Sequence, residues 1–164
     1  MTRRPRIGLG TDLHRLTEGR SLMLGTVAVD HRKGLLGHSD GDVVCHAIAD
    51  ALLGAAGLGE IGSLFPDDDP TWEGLAGADL LKRVAELLRR DHWRVGNIDC
   101  VIQAEEPRLA PHCKSMVQGI AHALNLSPEV VSVKIKSNER LDAIGRGEAI
   151  ASMAISRIEP EETL

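Results

Sequence analysis

The sequence predicts an α+β fold, a two-layer sandwich in which helices pack on one face of a single mixed sheet. Three observations lead to it. Stretches that alternate apolar and polar residues are interspersed with stretches whose apolar residues recur at helical spacing. Their order, roughly β-β-α-α-β-α-β-β, is not the regular repeat of a parallel α/β chain. The length of 164 residues, with 43% apolar but only 2% aromatic residues, fits one domain (1–164) with an aliphatic core.

The elements follow in order. Arg6 to His14 alternates as a strand. Thr17 to Arg20 reads as a turn, and Ser21 to Val29 as one or two short strands. Gly34 to Gly41 is a glycine-bearing loop. Asp42 to Gly57 has helical periodicity and ends on glycine, a C-cap signal. Leu58 to Glu73 is irregular, because Pro66 and Pro70 interrupt any ladder or helix. Leu75 to Asp91 is a strongly amphipathic helix, and Asn97 to Glu105 a strand. Pro111 opens a helix that runs to Leu124. Val130 to Lys136 and Glu148 to Ile158 are the last strands.

Composition narrows the function classes. The net charge of −5 argues against nucleic-acid binding, which needs a basic face. Met1 to Pro5 is basic, but no apolar run follows, so neither a signal peptide nor a membrane span is expected, and the cytoplasm is the default location. Cys45, Cys100 and Cys113 form no C-x-x-C pair and read as buried small hydrophobes.

The residues that carry chemistry begin with Asp12 and His14. Two apart on a strand, they share a face. His46 lies on the predicted helix, with Asp42 and Asp50 one turn before and after it. Two imidazoles and one carboxylate make three ligands with a fourth position open, the pattern of a catalytic divalent metal. Asp42 or Asp50 is expected to orient His46 through its second ring nitrogen. A surface Asp-x-His beside an unrelated helical histidine is the plainer alternative.

Three further stretches stand out. Gly37 to Asp42 (GHSDGD) is a loop that opens a helix, suited to an anion at the helix N-terminus or to simple capping by Ser39 or Asp40. Phe65 to Pro70 holds three carboxylates between prolines, for hydroxyls, a second cation or merely solvent. Lys134 to Gly147 carries Lys136, Ser137 and Arg146 as a candidate phosphate set, and Glu139 as a hard-cation ligand. Gly8-x-Gly10 lacks the third glycine and the following helix of a dinucleotide fingerprint.

Four collinear stretches carry a resemblance: GTDLHRL (10–16), GHSDGDVVCHAIADALLGAAGLGEIGSLFPDDDP (37–70), AEEPRLAPH (104–112) and SNERL…GRGEAIA (137–151). In them the chain resembles the 2-C-methyl-D-erythritol 2,4-cyclodiphosphate synthase family, phosphorus–oxygen lyases of non-mevalonate isoprenoid (terpenoid) biosynthesis. The resemblance implies a homotrimer around a sheet-lined axis, with active sites between subunits. It implies conversion of 4-diphosphocytidyl-2-C-methyl-D-erythritol 2-phosphate into the cyclic diphosphate plus CMP. It further implies zinc on Asp12, His14 and His46, magnesium or manganese on Glu139, and catalytic roles for His38 and Ser137. Glu60, Ile61, Gly62, Phe65, Pro66, Asp67, Asp68 and Asp69 would line the methylerythritol pocket. Ala104, Arg108, Leu109, Ala110 and Lys136 would hold the cytidine diphosphate. Arg146 would face phosphate, and Ser39, Asn138 and Ala143 complete the expected substrate contacts.

The chain departs from the family pattern at Lys136-Ser137-Asn138 in place of a threonine run, Ala143 in place of Phe, Glu60 in place of Asp, and Ala76-Gly77 in place of Asp-Ser. Two rival readings share the ligands: a non-haem iron enzyme built on the same triad, and a non-catalytic module that binds cytidine nucleotide or isoprenoid and is stabilised by metal.

Overall fold

The computed structural model describes residues 4–66 and 68–161. Five strands form one mixed sheet in the order β4-β1-β7-β5-β6. They are β1 (Arg6–Glu18), β4 (Lys33–Leu35), β5 (Trp93–Gln103), β6 (Val131–Lys136) and β7 (Ala149–Pro160). Every neighbouring pair is antiparallel except β5 and β6, which are parallel and joined through a helix. β2 (Leu22–Leu24) and β3 (Val27–Val29) form a separate hairpin. Helices α1 (Val43–Ala56), α3 (Gly77–Arg90) and α4 (Cys113–Leu124) pack together, with α1 against β1 and β7. The short helices α2 (Ile61–Leu64) and α5 (Asp142–Gly145) sit in loops.

The expected two layers are present, with local differences. β1 continues through the stretch expected as a turn, because Leu16, Thr17 and Glu18 pair with β4. The three-residue β4 lies in a stretch expected as loop. β5 starts earlier, at Trp93, across a register shift beside Asn97.

Alternation along β1 positions the site. Gly8, Gly10, Asp12, His14 and Leu16 occupy one face, while Ile7, Leu9 and Leu13 point the other way and are exposed. Gly8 and Gly10 let α1 approach: a Cβ on Gly10 would lie 2.0 Å from the Ala47 carbonyl oxygen, and one on Gly8 1.9 Å from that of Ala51. The two glycines that fail as a nucleotide fingerprint therefore serve helix-on-strand contact. The helix climbs along β1 until its first turn meets Asp12 and His14.

Asp42 fixes that first turn. It is the N-cap of α1, fully buried, and its Oδ1 accepts from the amides of Val44 and Cys45 at 3.1 Å. The same carboxylate accepts from Gly25 N at 2.8 Å and Thr26 N at 2.7 Å, which ties the β2–β3 hairpin to α1. The helix N-terminal amides are thus taken by an internal carboxylate, not left for an external anion. Asp42→Ala is expected to cost about 3–5 kcal/mol through a lost cap and buried amides without an acceptor. A fall in Tm of roughly 10 °C by calorimetry is the expected readout.

Candidate metal centre and substrate cleft

Three side chains converge where β1 meets α1. His46 Nδ1 lies 2.9 Å from Asp12 Oδ2, and His14 Nε2 lies 3.0 Å from the same oxygen. The rings are 5.5 Å apart and tilted by 53°, and one donor atom from each residue lies within 4.8 Å of the others. The second ring nitrogens are also engaged. His14 Nδ1 faces the Leu36 carbonyl oxygen, which can only accept, so this nitrogen carries the proton. His46 Nε2 lies 3.3 Å from Ser39 Oγ, which also accepts from Gly41 N.

This arrangement tests the fit of a metal. With His14 protonated on Nδ1, neutral imidazole turns the Nε2 lone pair towards a carboxylate oxygen. Only a proton or a cation between them makes that contact favourable. With a proton in that place the histidines donate to Asp12: burial works against charge on its carboxyl, but these hydrogen bonds and the imidazolium charge outweigh burial and hold it well below the usual range. The triad is a candidate site for a divalent metal ion.

The expected orienting role of Asp42 and Asp50 is corrected. Asp42 caps α1 instead. Asp50 Oδ1 accepts from Ile61 N at 2.8 Å and so anchors the start of α2, while burial raises its pKa. Helical spacing placed both near His46, but each carboxylate found unsatisfied backbone amides. The partners that orient the imidazoles are the Leu36 carbonyl and Ser39.

A cleft of about 460 Å³ opens over the triad. Of the residues expected from sequence, His38, Ser39, Ile61, Gly62, Phe65 and Asp68 line it. Glu60, Pro66 and Asp69 are their chain neighbours, and Asp67 lies outside the described residues. Trp72, Glu73, Leu75 and Leu80 also line it and were missed. The available signal was an aromatic residue inside a polar, proline-flanked loop.

The remaining expected residues gather elsewhere. Ala104 N donates to the Lys136 carbonyl at 3.0 Å, and Gln103 Nε2 to Asn138 Oδ1 at 3.4 Å. Ser137 Oγ donates to Glu139 Oε1 at 2.7 Å, and Asn138 Nδ2 to Asp142 at 2.9 Å. Lys136, Arg108 and Ala110 are exposed, whereas the side chains of Ala104 and Leu109 are buried and leave only backbone for a ligand. Ala143 lies on α5. Arg146 is engaged by Glu148 through two contacts of 2.9 and 3.1 Å. Register sets the distance between the two groups. Leu13 pairs with Ala151, Ala151 with Gln103, and Gln103 with Lys136. Three strand spacings, about 14 Å, therefore separate the triad's strand from Lys136.

A family model described as the YgbB family matches residues 5–159. The chain belongs to the YgbB family. A curated relative from Syntrophomonas wolfei, named 2-C-methyl-D-erythritol 2,4-cyclodiphosphate synthase, is 53% identical over 94% of this chain and 98% of its own length. Among solved structures, the bifunctional IspDF of Campylobacter jejuni superposes with a TM-score of 0.92 at 37% identity, over 96% of this chain and 43% of that one. The Plasmodium falciparum IspF in its CDP complex gives 0.85 at 33% identity, over 97% of this chain and 98% of that one. Two features of this YgbB chain follow from packing. Gly77 lies where a Cβ would come 2.8 Å from Cys45 Cβ, so this position leaves no room for a side chain. Burial pushes the Cys45 thiol far up and Cys100 to about 12, so neither is a nucleophile at neutral pH. No helix among the described residues is long and apolar enough to cross a membrane.

Proposed function

We propose that this chain is a single-domain 2-C-methyl-D-erythritol 2,4-cyclodiphosphate synthase. It converts 4-diphosphocytidyl-2-C-methyl-D-erythritol 2-phosphate into the cyclic diphosphate and CMP, by attack of the 2-phosphate on the β-phosphate. The observation that carries this reading is the Asp12–His14–His46 convergence on the floor of a cleft, in a chain of this family. Zinc held by the triad, with magnesium or manganese on Glu139, would offset the repulsion between attacking and attacked phosphates.

The protein's own groups bind and align. His38 and Ser39 border the cleft and contact the phosphate held there. Ile61 and Phe65 pack against the methyl-bearing carbons, while Asp68 and Asp69 accept from hydroxyls. Ser137 donates its hydroxyl to a phosphate oxygen, exchanging its bond to Glu139. Lys136 and Arg108 offset the cytidine diphosphate charge, and the backbone at Ala104 and Leu109 meets the base. The reaction belongs in the cytoplasm.

One chain carries these two groups apart, so the complete site lies between subunits of a homotrimer. The outer sheet face supports this. Ile7, Leu9, Leu13, Met153 and Ile155 lie there 47–73% exposed, and Leu9 pairs directly with Ile155. A contiguous apolar sheet face of this kind marks an interface. Mixing His46→Ala and Glu139→Ala subunits is expected to restore turnover that neither variant has alone. Failure to complement after subunit exchange would place both halves within one chain. The function itself is tested by CMP release from the substrate. Release that a chelator abolishes and zinc restores supports the reading, and no release from metal-replete protein overturns it.

A further inference from the structure

We propose that Arg83, outside the cleft, is a positioning residue for substrate: its guanidinium holds Trp72 as the movable wall of the pocket. The inference rests on the enzymatic reading for its kinetic arm only. The segment between α1 and α3 is tied to the body at its ends. Ile61 N donates to Asp50, and Gly77 N donates to Asp40 Oδ2 at 2.9 Å. Between these ties, the hydrogen bonds among the described residues are all local: Phe65 to Ile61, Asp69 to Pro66, Trp72 to Asp69, Leu75 to Trp72. Backbone hydrogen bonding therefore does not hold the middle of the segment against the body. Side chains do. Trp72 meets Phe65 edge-on at 5.1 Å and 83°, and Arg83 Cζ sits 4.9 Å from the Trp72 ring centroid.

Trp72 is also a partition. It lines the cleft over the metal triad, and it lines a second cleft of about 400 Å³ with Leu64, Phe65, Arg83 and Leu87. Its orientation thus divides space between the substrate pocket and its neighbour. Among the described residues no carboxylate pairs with Arg83, and its guanidinium lies against the Trp72 ring. A guanidinium stacked on indole is attractive and orientation-dependent. Loss of that contact lets the indole sample both clefts, and substrate must then restore the order.

The test compares Arg83→Met and Arg83→Lys with the parent protein. Arg83→Met is expected to raise KM about five-fold with kcat within about two-fold, as one cation–π contact allows, at unchanged zinc content. Arg83→Lys should recover part of the loss. Acrylamide quenching of tryptophan fluorescence reads the same contact without turnover. Trp93 is 5% exposed, so an increase in Arg83→Met reports Trp72. A rise in KM with increased quenching supports the proposal. Unchanged KM and quenching, or a fall in kcat alone, overturns it. If the parent protein shows no turnover, the enzymatic reading fails, and the quenching arm alone decides the Arg83–Trp72 contact.

Discussion

Asp12→Ala is expected to remove bound metal and turnover together while leaving the fold intact. Its Oδ2 is the one atom that both imidazoles approach, at 2.9 and 3.0 Å. Its side chain is 23% exposed and contributes little to the core. Without it, His14 and His46 remain pinned by the Leu36 carbonyl and Ser39, but they offer two neutral ligands. Loss of an orienting group costs about 10–100-fold in metal affinity, and loss of a ligand costs more. Ser39→Ala should fall within that smaller range as a control. Metal content after dialysis, CMP release and circular dichroism check the expectation together. An Asp12→Ala protein with full metal occupancy and rate would refute the ligand assignment.

Gly10→Ala should damage the fold more than any exposed change. Its Cβ would lie 2.0 Å from the Ala47 carbonyl oxygen and 2.6 Å from Ala51 N, both helix backbone atoms. No side-chain rotation relieves that, so α1 must lift off β1. Overpacking of a responsive core costs about 1–3 kcal/mol, and a backbone clash stands at or above the upper end. The Tm should fall by roughly 6–12 °C or more, or the protein should fail to accumulate. The displaced helix carries His46, so any folded fraction should bind metal weakly. Gly54→Ala is the matched control: it lies in the same helix with nothing within 4 Å of its Cβ. It should stabilise by about 0.5–1 kcal/mol. A Gly10→Ala protein as stable as its parent would show that helix and strand are not in direct contact.

The convergence of the candidate metal triad was legible because it depends on two periodicities. Alternation put Asp12 and His14 on one strand face, and helical spacing carried His46 towards them. The partners of the imidazoles were not legible for a physical reason. Equal spacing made Asp42 and Asp50 equivalent on paper, but each sits beside amides that need an acceptor: those of the α1 first turn and the hairpin for Asp42, and that of Ile61 for Asp50. The orienting acceptors are a main-chain carbonyl, which no sequence pattern marks, and a serine that also reads as a loop residue. β4 was hidden because three residues, Lys33 to Leu35, show no alternation and pair only with the far end of β1. Trp72 was hidden by its prolines: they read as breaking any regular element, whereas Pro70 opens a single 3-10 turn, Pro70–Trp72, and α2 forms just before it, and neither turn is marked in the sequence as folding back over the cleft.

Phosphorus NMR of the substrate incubated with metal-replete and chelator-treated protein tests the proposed cyclisation most directly. The expected spectrum is one in which the phosphomonoester and open diphosphate signals give way to the coupled pair of a cyclic diphosphate, with one CMP formed per substrate lost, and only when metal is present. Attack by water instead of the internal phosphate would yield CMP with an acyclic bisphosphate. That spectrum, or an unchanged one from the metal-replete protein, would contradict the proposed cyclisation.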